Sequence, residues 1–134
     1  MSTTEILSLP KIEDPRGNLT FLQAPSQVPF DIQRVFWTYD VPGGQTRGGH
    51  AYRSIEEVII ALSGIFDVVI DMDGDRKVYS LNRSYYGLYV PALTWRHLEN
   101  FSTNAVALTL SSTVYSEKDY IRSRKEFEAI TNAR

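Results

Sequence analysis

Turn signals recur along the chain at short intervals, and this punctuation, more than any other feature, restricts what it can fold into. Asp14-Pro15-Arg16-Gly17, Pro42-Gly43-Gly44, Ser63-Gly64, Asp73-Gly74 and Pro91 each interrupt regular structure, because glycine opens the left-handed region and proline fixes φ and removes a donor. Between them lie short runs rich in Val, Ile, Phe, Tyr and Thr, residues that suit a pleated, half-buried surface. Short strands separated in this way predict an all-β sandwich or barrel. Helix is scarce before residue 115.

Single segments sharpen the expectation. Gln33-Arg34-Val35-Phe36-Trp37-Thr38-Tyr39 alternates only partly, whereas Glu57-Val58-Ile59-Ile60-Ala61-Leu62 reads as a strand buried on both faces. Gly64-Ile65-Phe66-Asp67-Val68-Val69-Ile70-Asp71, the Asp73-Gly74 pair and Arg76-Lys77-Val78-Tyr79 together predict a hairpin closed by a turn with positive φ. At the end, Ser116-Glu117-Lys118-Asp119 matches a capping box. Tyr120, Phe127 and Ile130 follow at near-helical spacing, so one amphipathic helix is expected over about 116–131. Its Arg122, Arg124 and Lys125 read as a solvated face.

With 134 residues the chain fits a single domain, 1–134, and no segment resembles a linker or a repeat. Fourteen Lys+Arg against sixteen Asp+Glu give a net charge of −2, which offers no general pull toward nucleic acid or an anionic membrane. The absence of cysteine removes disulfides, thiolate nucleophiles and cysteine-based metal sites together. Met1-Ser2-Thr3-Thr4-Glu5 lacks the basic start and apolar stretch of a secretory signal, and no apolar run approaches membrane-spanning length. A cytoplasmic protein is expected.

Only two histidines are present, His50 and His97, both near turns. His50 follows Arg47-Gly48-Gly49, and the period of two places Tyr52 on its face, with Glu56 four residues further on aimed at the same interior. On the residues alone, His50 is equally a histidine satisfied at a barrel mouth, and Tyr52, Trp37 and Trp95 are equally core aromatics.

The stretch from Gly43 to Glu56, with the Gly64 turn and Gly87-Leu88-Tyr89-Val90-Pro91, resembles the two signature motifs of the cupin superfamily. Their metal-binding form supplies two histidines two residues apart and a glutamate from the first motif, and a further histidine from the second. Here Tyr52 stands in the second place and Arg96 in the last, with His97 offset by one residue and therefore turned to the opposite face. Arginine is a permanent cation and ligates no divalent metal, so no metal and no cofactor is expected.

A closer match runs along nearly the whole chain. Asp14-Pro15-Arg16-Gly17-Asn18-Leu19, Pro29 to Phe36, Arg47-Gly48-Gly49-His50-Ala51, Gly87-Leu88-Tyr89-Val90 and Asp119-Tyr120-Ile121-Arg122 resemble, in order, the landmarks of the small sugar 3,4-ketoisomerases that act on dTDP-4-keto-6-deoxyglucose. The resemblance implies a small cupin, an RmlC-like jelly-roll β-barrel with a short C-terminal α-helix, acting as a metal-independent homodimer. It implies that the keto group of a dTDP-4-keto-6-deoxyhexose moves from C4 to C3 through an enediol, in deoxy-aminosugar synthesis for surface glycans. His50 and Tyr52 are then the catalytic residues, and Arg16, Arg34, Trp37, Arg47 and Arg96 bind the substrate, the arginines as donors to its diphosphate. Family members carry His-Ala-His where this chain has His50-Ala51-Tyr52. The alternative is therefore a non-catalytic, or altered-specificity, sugar-nucleotide-binding cupin. Ile6-Leu7 and Leu19-Thr20-Phe21-Leu22 are the expected segments to cross between subunits.

Overall fold

The computed structural model of the chain describes residues 3–132. Twelve strands form among these residues: β1 (Glu5–Ser8), β2 (Lys11–Ile12), β3 (Leu19–Thr20), β4 (Arg34–Tyr39), β5 (Arg47–Tyr52), β6 (Glu57–Ser63), β7 (Phe66–Met72), β8 (Asp75–Leu81), β9 (Tyr86–Val90), β10 (Arg96–Glu99), β11 (Val106–Ser111) and β12 (Tyr120–Ile121). Helix α1 (Arg124–Asn132) closes the chain. The strands assemble into two antiparallel five-stranded sheets, ordered β1-β9-β6-β11-β4 and β12-β5-β10-β7-β8, with β2 and β3 as a separate ribbon. This is the cupin-like jelly roll that the turn spacing and the motifs anticipate.

Strand alternation explains where the core sits. Ile59, Ala61, Leu88, Val90 and Ala107 of the first sheet meet Phe66, Val68, Ile70, Leu81 and Leu98 of the second in one buried cluster. The opposite face of β6 is covered as well: Val58 and Ile60 lie beneath Leu9, Val28 and Phe30, supplied by the segments around β2 and before β4. That second cover is why β6 is hydrophobic on both faces from Val58 to Ala61, and at roughly 25 cal/mol per Å² of apolar area it anchors the sheet from both sides. Outside the second sheet, Ala51 and Ile121 are covered by Phe127 of α1.

The β7–β8 hairpin forms as expected, with Asp73 at φ 49° and Gly74 at φ 77°, the paired positive values that a two-residue turn requires. Gly64 turns the chain between β6 and β7 at φ 68°, where an added Cβ would lie 2.6 Å from the Ala105 Cα. Ile6 and Leu7 of β1 pair with Leu88 and Gly87 of β9. Among the described residues no helix is long and apolar enough to cross a membrane.

The C-terminal helix departs from expectation. Ser116 makes no capping hydrogen bond, Glu117–Asp119 is a single 3-10 turn, and Tyr120 lies in β12, paired with Tyr52. The helix starts only at Arg124, where the Ser123 hydroxyl accepts the Glu126 N–H at 3.1 Å. A Ser-x-x-Glu signature, Ser123 to Glu126, stands there seven residues downstream of the Ser-x-x-Asp of Ser116. Asp119 is drawn away by tertiary contacts. Its carboxylate accepts the backbone N–H groups of Ser54 and Ile55 at 3.1 and 3.0 Å and the Ser54 hydroxyl at 2.7 Å. These bonds fix the bend between β5 and β6. We expect Asp119→Ala to lower stability by about 2 kcal/mol in denaturant titration, since partly buried amides lose their acceptor, and Ser116→Ala to stay within about 0.5 kcal/mol. A costly Ser116→Ala with a neutral Asp119→Ala would restore the capping box.

Candidate active site

One cavity of about 520 Å³ opens at the end of the barrel where β4, β5 and β10 come together. That volume is within the usual range for small-molecule sites. Alternation decides which side chains enter it. On β4 the inward positions are Arg34, Phe36 and Thr38, paired with Ser111, Thr109 and Ala107 of β11. On β5 they are Gly48, His50 and Tyr52, and on β10 they are Arg96 and Leu98. β12 adds Tyr120 beside Tyr52, and Arg122 follows at the rim.

The expected residues divide accordingly. Arg34, Arg47, His50, Tyr52 and Arg96 all line this cavity. Trp37 touches it only from the edge: it pairs with Leu108 on the outer face and is 58% exposed, so Phe36 is the inward aromatic. Arg16 lies in the turn after β2, its side chain 91% exposed and engaged with Asp14, and it does not reach the cavity. Glu56 does not face the interior either, but accepts the Tyr89 hydroxyl. The bend held by Asp119 restarts the alternation, so it is Glu57, the first residue of β6, that shares the inward face with Ile59. His97 faces away from the site, its Nε2 2.8 Å from Glu99.

At the inner end, Arg96 and Glu57 form an ion pair with exposures of 2% and 3%. The Arg96 guanidinium also sits 4.7 Å over the Tyr52 ring. His50, Tyr52 and Tyr120 form a triangle with ring centroids 4.8 to 5.0 Å apart. Burial first, and then the positive charges of Arg96 and Arg122, hold the His50 imidazole down to about 3. It is therefore neutral at physiological pH, a proton acceptor rather than a cation. Burial pushes the Tyr52 phenol up, helped by the Glu57 charge and the neighbouring Tyr120. Burial likewise raises Glu57, against the pull of Arg96 and the Tyr52 hydroxyl.

Among the described residues the buried side-chain atoms without a partner are His50 Nε2 and Glu57 Oε2, and both belong to this site. Buried polar groups are nearly always satisfied, so two orphans at one cavity mark a functional surface. The outer wall is cationic: Arg34 lies 4.3 Å over the Phe36 ring and 5.2 Å from the Tyr115 ring, and neither it nor Arg47 has a carboxylate partner among the described residues. Arg122 stacks on Tyr120 and is held by Glu117 through two bonds of 3.0 Å. A metal does not fit. The guanidinium of Arg96 occupies the place of a ligand, and among the described residues no three His, Asp or Glu converge.

Residues 2–132 match the family described as "FdtA: WxcM-like, C-terminal". The chain belongs to the FdtA family. A TDP-4-oxo-6-deoxy-alpha-D-glucose-3,4-oxoisomerase of Aneurinibacillus thermoaerophilus is 33% identical over 92% of this chain and 89% of its own. A 3,4-ketoisomerase from Helicobacter canadensis has the same fold, with a TM-score of 0.94 and 34% identity over 98% of this chain and 99% of its own. A His-to-Asn variant of the Thermoanaerobacterium thermosaccharolyticum 3,4-ketoisomerase, solved with TDP-4-keto-6-deoxyglucose, superimposes with a TM-score of 0.95 at 30% identity, covering 98% and 95% of the two chains.

Within this FdtA-family site, sequence reasoning missed Glu57, Phe36, Tyr120 and Arg122. The signal for Glu57 was present: a charged residue opening a strand otherwise buried on both faces needs a buried partner. Tyr120 and Arg122 were hidden by their assignment to a helix.

Proposed function

We propose that this FdtA-family chain is a 3,4-ketoisomerase acting on a TDP-linked 4-keto-6-deoxyhexose. The observation that carries the reading is the half-buried, neutral imidazole of His50, its buried Nε2 unpartnered, at a cavity walled by arginines. A hydrogen next to a ketone is removed by a base when the resulting enolate oxygen is stabilised, and both parts are to hand. His50 takes the proton from C3, and Arg96 supplies fixed positive charge for the negative charge that grows on the carbonyl oxygen. Return of a proton to C4 completes the shift of the keto group to C3. Arg34 and Arg47, free of carboxylates, suit the diphosphate, where forked donors bind strongly. Phe36 and Thr38 line the same wall and suit the sugar and base.

The chain works, in this reading, as a cytoplasmic homodimer. What supports the dimer is the outer face of β4, where Val35, Trp37 and Tyr39 stand about half exposed beside Leu62 of β6. An apolar face of this kind on an edge strand is ordinarily covered. Sedimentation at micromolar concentration is expected to give twice the chain mass, and Trp37→Glu to shift it toward one; a wild-type mass of one chain would contradict the dimer.

The activity is read by incubating the protein with TDP-4-keto-6-deoxyglucose in D₂O and following proton and carbon NMR. We expect a 3-keto product in the wild type and a loss of about 10²–10⁴ in rate for His50→Asn. A wild type that binds the sugar nucleotide without turnover would make the chain a binding module. A His50→Asn variant of full activity would remove His50 from the chemistry.

A further inference from the structure

Arg122 stands at the mouth of the cavity with Arg34 and Arg47, and of the three it is the one held by a carboxylate among the described residues. Arg34 and Arg47 already have a task at the diphosphate. Resting on the sugar-nucleotide reading above, we propose that Arg122 is a further phosphate-binding residue of this site, and that Glu117 is the positioning residue that aims it.

The backbone brings Arg122 to the mouth. Tyr120 and Ile121 of β12 pair with Tyr52 and Ala51 of β5, so that Tyr120 lines the cavity while Ile121 is buried on the other side with Phe127. The strand period of two returns Arg122 to the cavity side, and its guanidinium lies 4.1 Å over the Tyr120 ring. One face is thereby covered. One edge is covered too, since Nε donates to Glu117 Oε2 and Nη2 to Glu117 Oε1, both at 3.0 Å. A guanidinium has a second fork at its end, made by Nη1 and the remaining N–H of Nη2. Among the described residues Nη1 donates to nothing. Fixed on one edge and one face, Arg122 keeps a free fork that fits two oxygens of a phosphate.

Glu117 is itself anchored. It opens the 3-10 turn Glu117–Asp119, whose last residue ties the turn to the bend between β5 and β6, and its Oε1 also accepts the Tyr115 hydroxyl. Tyr115 packs against Tyr120 with ring centroids 5.7 Å apart, and the Arg34 guanidinium lies 5.2 Å from its ring. The bonds from Arg122 and then from Tyr115 hold the Glu117 carboxyl down to about 2, so the pair stays ionised at neutral pH. Glu117 acts on an incoming anion in two opposed ways. Its charge repels, but both side chains are more than half exposed, and water and salt screen repulsion at such a site. Its grip, by contrast, orders a long side chain in advance, and that ordering is otherwise lost from the binding free energy. Positioning therefore outweighs repulsion.

Calorimetric titration of the full chain with TDP tests this without turnover. We expect Arg122→Ala to weaken TDP binding about tenfold or more and Glu117→Ala to weaken it about three- to tenfold, with Glu117→Gln between Glu117→Ala and wild type. Because Glu117 acts only through Arg122, the double alanine variant is expected within about twofold of Arg122→Ala alone. In the isomerase assay Glu117→Ala should raise KM by a similar factor and lower kcat less than about twofold, the signature of a contact made equally in ground and transition states. Unchanged or tighter TDP binding by Glu117→Ala, additive losses in the double variant, or unchanged binding by Arg122→Ala would overturn the assignment alone. A wild type that does not bind TDP would overturn it together with the sugar-nucleotide reading. Turnover is read separately by NMR, so a wild type that shows this binding pattern and does not isomerise would sink the ketoisomerase reading and support the phosphate site.

Discussion

A guanidinium and a carboxylate buried against each other at the inner end of the barrel set the terms for everything around them. Taking both charges out of water is costly, and removing one partner of such a pair costs about 3–5 kcal/mol because the other is stranded. The Arg96–Glu57 pair is therefore not explained as a stabilising contact alone. Its consequences are electrostatic. Arg96 helps to keep His50 neutral, and Glu57 helps to keep the Tyr52 phenol protonated. A base and a hydroxyl donor thus stand side by side in their useful states.

From that pair outward the cavity changes character. Its inner end is aromatic and close-packed, with His50, Tyr52 and Tyr120 in mutual contact. Its mouth holds Arg34, Arg47 and Arg122. A ligand with a small polar ring at one end and a diphosphate in its middle matches this gradient. Burial of Arg96, Glu57 and Tyr52 at the inner end strengthens the electrostatic interactions made there. The two sheets hold Arg34, His50, Tyr52 and Arg96 rigidly, because each is an inward position of a strand in a packed barrel.

Much of this was legible in the sequence, because much of it is strand alternation. The β6 segment shows its double burial as unbroken hydrophobicity, the Asp73-Gly74 turn declares its hairpin, and a one-residue offset was enough to send Arg96 inward and His97 outward. What was illegible crosses a bend or depends on a distant partner. Counting on from His50 leads to Glu56, but the carboxylate of Asp119, more than sixty residues away, sets a bend that makes Glu57 the inward residue. The same use of Asp119 dissolves the helix start expected at Ser116. Trp37 reads as a wall of the site because its strand alternates only partly in sequence, although its exposures alternate strictly. Arg16 resembles a family landmark, but its loop carries it away from the cavity of its own chain.

The central claim is that the fold holds His50 as a neutral base inside a cationic site. Histidine-labelled NMR tests it directly, since the chain has only His50 and His97 and the His50 signals are those that vanish in His50→Asn. The account predicts that the His50 ring nitrogens keep the shifts of neutral imidazole from about pH 8 down to about pH 5, well below the ordinary midpoint of ~6.5. Titration of His50 with a midpoint near that ordinary value would contradict it.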